Sequence, residues 1–80
     1  MRARVFVTLK STVLDPQGQT VRSALHGLGY PGIEDVRQGK YFEIQLDGLS
    51  HDQAKAEVER AAKEVLTNPV IEEYRYSIEE

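Results

Sequence analysis

From Arg4 to Lys10 apolar and polar residues alternate, placing Val5, Val7 and Leu9 on one face and Phe6 on the other. This is the period of a half-buried strand. Asp15 then reads as an N-cap and Pro16 as the first helical residue, where a missing N–H costs nothing. Val21, Ala24, Leu25 and Leu28 recur at helical spacing before Gly29, predicting a helix from about Pro16 to Leu28. A second helix opens at Leu49 and Ser50, with Ser50 and Gln53 as a capping box and Leu49 able to staple onto Ala54. Its apolar stripe is Ala54, Val58, Ala61, Ala62, Val65 and Leu66, and Asn68-Pro69 stops it. The segment from Val70 to Ile78 alternates again, with Val70, Tyr74, Tyr76 and Ile78 on one face and Ile71, Arg75 and Ser77 on the other.

The stretch from Ile33 to Leu46 is the ambiguous one. A two-residue turn at Gln38-Gly39 would pair Val36 with Tyr41 and send Val36 to the face opposite Phe42, Ile44 and Leu46. An uninterrupted strand keeps these four even-numbered residues together. One long strand kinked near Gly39 is therefore favoured, with a hairpin on a three-residue loop as the alternative. About 14 extended residues span roughly 46 Å, more than so small a domain can cover, so part of this strand is expected to pair with another subunit. The predicted fold is a single α+β domain over residues 1–80, an antiparallel sheet with two helices on one face. Its order is βαβαβ with a long bent middle strand, or the ferredoxin-like βαββαβ if that strand is broken.

Composition adds constraints. Eighty residues without cysteine can bury only about 60% of the unfolded chain's surface and have no disulfides to compensate. Association with further copies is expected. Thirteen acidic and 10 basic residues, net charge −3, lack the basic excess of a nucleic-acid binder. No segment approaches the roughly 18 apolar residues of a membrane span, and no apolar leader follows Met1-Arg2-Ala3-Arg4, so a soluble cytoplasmic protein is expected.

Candidate chemistry is sparse. Gly27-Leu28-Gly29-Tyr30-Pro31-Gly32 has the G-x-G-x-x-G spacing, but it follows a helix instead of opening one, and Pro31 removes a donor. It reads as a helix-terminating loop. Ser50-His51-Asp52 contains the residue types of a hydrolase triad, yet consecutive residues in a first helical turn diverge; Ser50 as cap and Asp52 as a dipole-favoured carboxylate account for both. His26 lacks a second ligand at metal spacing. Glu72-Glu73 and Glu79-Glu80 alternate or lie at the terminus, so neither forms an acid and base pair. No catalytic, cofactor or metal residue is assigned. Apolar residues on the face opposite the helices are more informative. Phe6, Tyr41 and Ile71, interleaved with Arg4, Lys40 and Arg75, resemble an association surface, and Phe6, Arg37, Lys40, Tyr41 and Ile71 are the candidate interface residues, because aromatic and arginine side chains carry most association energy.

Three stretches bear a resemblance: Val13-Leu14-Asp15-Pro16-Gln17-Gly18, Val36-Arg37-Gln38-Gly39-Lys40-Tyr41-Phe42-Glu43, and Leu66-Thr67-Asn68-Pro69-Val70-Ile71-Glu72-Glu73-Tyr74. Together they resemble, over the whole chain, the PurS family, the small non-catalytic subunits of bacterial and archaeal phosphoribosylformylglycinamidine (FGAM) synthase. Lys10-Ser11-Thr12 departs from the Pro-Gly turn of many members, which touches only the first loop. The resemblance implies a cytoplasmic complex in purine biosynthesis. A glutaminase subunit (PurQ type) releases ammonia and an ATP- and Mg-using synthetase subunit (PurL type) consumes it, while the small subunit binds no cofactor, forms a homodimer or tetramer, and bridges the other two. With no cysteine nucleophile and no phosphate loop, a bridging role fits the residues. Two other classes share this architecture: a dimeric sensor domain binding a small metabolite, and a small ferredoxin-like lyase or isomerase.

Overall fold

In a computed structural model, which describes residues 1–80, the alternating segments become three strands and the helical-period segments two helices. These are β1 (Arg2–Leu9), α1 (Pro16–Gly27), β2 (Gly39–Gln45), α2 (His51–Ala61, continued by a π-helical turn over Ala62–Leu66) and β3 (Glu72–Glu79). The sheet is antiparallel with strand order β2-β1-β3. Class and element order are thus the α+β, βαβαβ arrangement expected.

β1 takes the centre because it alone supplies three consecutive inward positions of small or β-branched type. Ala3, Val5 and Val7 are fully buried and pack with Val58 and Ala62 of the second helix. Phe42, Ile44, Tyr74, Tyr76 and Ile78 from the flanking strands surround them. Burying each valine contributes about 1.5–3 kcal/mol. The core is thin: only nine of the 80 residues are buried, so one truncation there removes a large part of it.

The structure departs from the sequence reading in four places. Only α2 covers the sheet; α1 makes marginal contact with it, so the two helices do not share one face as a packed layer. The long middle strand is half realised. Gly39–Gln45 pairs with β1, whereas residues 33–38 join no ladder and no hairpin forms at Gln38-Gly39. Side chains of α1 and its cap claim the backbone of that segment instead: Arg22 Nε donates to the Glu34 carbonyl at 2.6 Å, His26 Nε2 lies 2.6 Å from the Ile33 carbonyl, and Gln38 N–H donates to Asp15 Oδ2 at 2.7 Å. The π-helical turn is the third. Its wider winding adds a residue to the last turn, so Ala62 and Leu66 face the core while Val65, expected in the stripe, is 78% exposed. Fourth, β3 begins at Glu72, because Asn68 ties Val70 and Ile71 into a turn through its Oδ1 and carbonyl. Val70 consequently points away from the core.

α1 and residues 28–38 therefore form an arm. The whole chain has a radius of gyration of 16.0 Å, far more extended than the ~12 Å of a compact 80-residue domain. The principal extents, 49 × 26 × 14 Å, show the same elongation.

Candidate functional site

Two surfaces carry the residues of interest. The first is the sheet face that α2 leaves open. Arg2, Arg4, Phe6 and Thr8 of β1 alternate onto it with Tyr41, Glu43 and Gln45 of β2 and Glu73, Arg75, Ser77 and Glu79 of β3. Phe6 lies opposite both Tyr41 and Arg75 in the register. Its ring centroid is 5.0 Å from that of Tyr41, and the Arg75 guanidinium sits 5.0 Å over its other side. An arginine over an aromatic face is attracted by the ring quadrupole and keeps its donors available outward. At the opposite end of the face, Arg2 bridges Glu43 at 3.1 Å and Glu79 at 2.8 Å, and Arg4 reaches Glu79 at 3.3 Å. The Arg2 bond holds the Glu79 carboxyl below the ordinary carboxylate range, and Arg4 adds to the effect.

The second surface is the arm. Asp15 is 3% exposed and lies at the base of the arm, where its carboxylate ties the start of α1 to the returning chain. Its carboxylate accepts from Gln38 N–H at 2.7 Å and from Gly18 N–H at 2.9 Å, so it caps α1 and fixes the returning chain with the same group. These two bonds, Gln38 first, hold its carboxyl below the ordinary range. A group with a depressed folded pKa contributes stability that is present above its unfolded pKa and is lost as pH falls through the folded value. Asp15 and Glu79 both have this sign. Stability should therefore decline below about pH 4, the unfolded carboxylate range. In Asp15→Asn that acid-induced fall in Tm should be visibly shallower, which thermal melts between pH 2.5 and 7 in steps would read; an unchanged slope would remove Asp15 from this role.

The arm tip closes as the sequence predicts for a terminating loop. Gly29, at φ +94°, occupies a left-handed position, Tyr30 N–H donates to the Leu25 carbonyl and Gly29 N–H to that of His26. This is a Schellman closure, and it explains the glycine spacing without a phosphate. Ser50 caps α2, and its capping box with Gln53 is complete. Ser50, His51 and Asp52 are therefore first-turn residues with no triad geometry.

The structure brings together part of the predicted interface. Phe6 and Tyr41 stack on the open face. Ile71, 39% exposed, precedes β3 in the turn. Arg37 lies elsewhere, donating to the carbonyls of Lys10 and Val13 and so holding the first loop. Lys40 shares the covered face with Val7 and Phe42, its Nζ 3.4 Å from the Leu66 carbonyl and from Glu72. Arg75, read with Arg4 and Lys40 among the basic residues interleaved with the aromatics, completes the aromatic row; its position opposite Phe6 becomes visible only when β1 and β3 are placed in register. His26 turns out to strap the arm. His26→Ala should cost about 0.5–1.5 kcal/mol of stability through that lost bond, while His51→Ala costs less than about 0.5 kcal/mol. In the complex that the resemblance implies, neither change should alter turnover by more than about threefold; a loss near 10²-fold with assembly intact would identify a missed acid or base.

The comparisons with known proteins fall in line with this architecture. Residues 2–80 match the family model PurS, described as phosphoribosylformylglycinamidine (FGAM) synthase. The chain is 47% identical over 73 residues to the PurS subunit of that synthase from Mycobacterium leprae, covering 91% of this chain and 89% of that one. The Bacillus subtilis PurS crystal structure superposes with a TM-score of 0.87 at 43% identity, covering 99% of this chain and 98% of its own. A chain in the structure of PurLQS from Thermotoga maritima gives a TM-score of 0.87 at 31% identity, with 95% and 93% covered. A match across nearly the whole length, in sequence and in fold alike, has one reading: this chain belongs to the PurS family of phosphoribosylformylglycinamidine synthase subunits.

Proposed function

We propose that this chain is the small bridging subunit of a cytoplasmic FGAM synthase, self-associating and holding a PurL-type synthetase and a PurQ-type glutaminase so that ammonia passes between them. Family membership carries the place in purine biosynthesis, and the PurLQS assembly of the Thermotoga relative carries the partners. ATP and Mg are used by the synthetase. The observation that supports a scaffold role is surface. The chain exposes 5816 Å², whereas a compact protein of 9.0 kDa exposes about 4,900 Å². The excess of roughly 900 Å² is close to one partner's ~800 Å² share of a standard interface. Much of it lies on the arm, where Val21, Leu28 and Tyr30 are 40%, 75% and 55% exposed. Apolar area of this kind is normally covered in an assembly.

Mixing the chain with the two larger subunits and resolving the mixture by size, with and without each component, tests the reading. All three should co-elute, and the chain alone should sediment above monomer mass at micromolar concentration. A 9 kDa species at every concentration defeats self-association, and failure to join either larger subunit defeats the bridge.

A further inference from the structure

The end of α2 fits two windings. In a continued α-helix, at about 100° per residue, Val65 falls in the middle of the stripe formed by Ala54, Val58, Ala61 and Ala62, and Leu66 lies about a quarter turn off it. The structure has the other winding. The π-helical turn over Ala62–Leu66 carries Leu66 onto the core cluster and leaves Val65 78% exposed. This winding is held loosely. Thr67, just after the turn, is buried, and its Oγ1 has no hydrogen-bond partner, which disfavours the arrangement. Lys40 Nζ of β2 donates to the Leu66 carbonyl and reaches the Glu72 carboxylate, both at 3.4 Å, beyond the usual length of such bonds. Beside the turn lies a cavity of about 280 Å³ lined by Lys63, Thr67, Pro69, Glu72, Glu73 and Tyr74. Rewinding there meets free space on one side instead of packed side chains.

We propose that the end of α2 is a two-position device: π-helical with Leu66 inward and Val65 outward, and α-helical with Val65 inward and Leu66 at the rim. Each position buries one large aliphatic side chain and exposes the other, so the two lie close in free energy. The α position gains a regular hydrogen-bond ladder. The π position keeps Lys40 on the Leu66 carbonyl, and that contact is the latch that favours it. A packed helix end changes between discrete windings and does not deform continuously, because intermediate windings bury neither side chain. The turn leads directly into Leu66–Tyr74, one of the three stretches that carry the family resemblance. Within that stretch Asn68 holds the backbone N–H groups of Val70, Ile71 and Glu72 through its Oδ1 and carbonyl, so a change of winding is passed to the start of β3. Any contact that covers Val65 in its outward position favours the π winding and thereby fixes this stretch.

Amide NMR spectra of the full-length chain test the device with four variants. Val65→Asp excludes the α position, which would bury its charge. Deletion of Val65 excludes the π position, since with one residue fewer an unbroken α-helix carries Leu66 to the core. Lys40→Met removes the latch, and Val65→Ile increases the apolar gain of the inward position. The amides read are those of residues 62–70, leaving out any in contact with the altered side chain. The unaltered chain, Lys40→Met and Val65→Ile should fall between the two end points, as shifts along one line or as two sets of peaks. The α share should rise about two- to fivefold in Lys40→Met, the scale of a lost surface ion pair. If the deleted form does not fold, the line is drawn from Val65→Asp through the unaltered chain to Val65→Ile, and Lys40→Met must lie on it. Spectra of Lys40→Met and Val65→Ile that match Val65→Asp at these amides overturn the device and leave a single fixed winding. Shifts in unrelated directions overturn it as well.

Discussion

Glutamine-driven synthesis by the two larger subunits is expected to fall by about 10²-fold or more when this chain is left out, while synthesis driven by concentrated ammonium salt survives largely intact. The difference follows from what a bridge contributes. Ammonia released into water is diluted and mostly protonated, and the ammonium ion is no nucleophile. Docked sites keep it neutral and at high effective concentration. The two histidines have structural places in this chain: His26 straps the arm, and His51 lies in the first turn of α2. External ammonia at a pH where the free base is present bypasses docking, so only coupling is lost. The measurement is initial rate with each nitrogen source, with and without the chain, at matched synthetase concentration. Equal losses with both sources would mean that the chain shapes the synthetase active site, and bridging alone would no longer describe it.

The legible parts of this fold were those fixed by contacts a few residues apart. Alternation in β1 follows from having one buried face; Val5 and Val7 are buried as predicted, and the fully buried stretch is shifted one pleat toward the N-terminus, with Ala3 buried and Leu9 only half-buried. The Asp15-Pro16 start, the Gly29 stop and the Ser50-Gln53 box are local hydrogen-bond solutions, and each formed as read. What escaped the sequence depends on groups far apart along the chain. Val36 keeps the even-numbered phase of Phe42, Ile44 and Leu46 whether residues 33–38 join a ladder or lie along a helix; Arg22, His26 and Asp15 decide between these, and nothing local announces their reach. Val65 fits an ideal helical stripe, and only the π-helical turn displaces it. Of the interface candidates, Phe6 and Tyr41 were readable because an aromatic facing away from the core is conspicuous. Arg37 and Lys40 lie apart from that aromatic pair and hold backbone carbonyls within the chain, contacts between residues too far apart in sequence to be read from it.

Gly18→Ala is expected to destabilise the chain by about 2–3 kcal/mol, although the same change inside a helix ordinarily gains up to ~1 kcal/mol. The reversal comes from the seam between α1 and the returning segment. A Cβ at Gly18 would lie 2.1 Å from the Val36 carbonyl oxygen and 2.8 Å from Asp15 Oδ2. Neither neighbour can yield cheaply. The first is backbone in a segment held on both sides by His26, Arg22 and Asp15, and the second is the carboxylate that ties the start of α1 to the returning chain. Relief requires the segment to lift from α1, breaking the Asp15 to Gln38 bond and freeing the arm. Gly27→Ala on the same helix is the control. It meets no atom within 4 Å at an ordinary backbone angle, so propensity alone should decide, and a gain of several tenths of a kcal/mol is expected. Thermal melts of both variants give the opposite signs directly, and amide exchange shows where the first one opens. Protection should fall across α1 and residues 33–38 before it falls in β1, because the sheet core of Val5, Val7 and Val58 makes no use of the seam. A Gly18→Ala protein as stable as the unaltered chain, with α1 still protected, would show that the arm is not clasped through this contact.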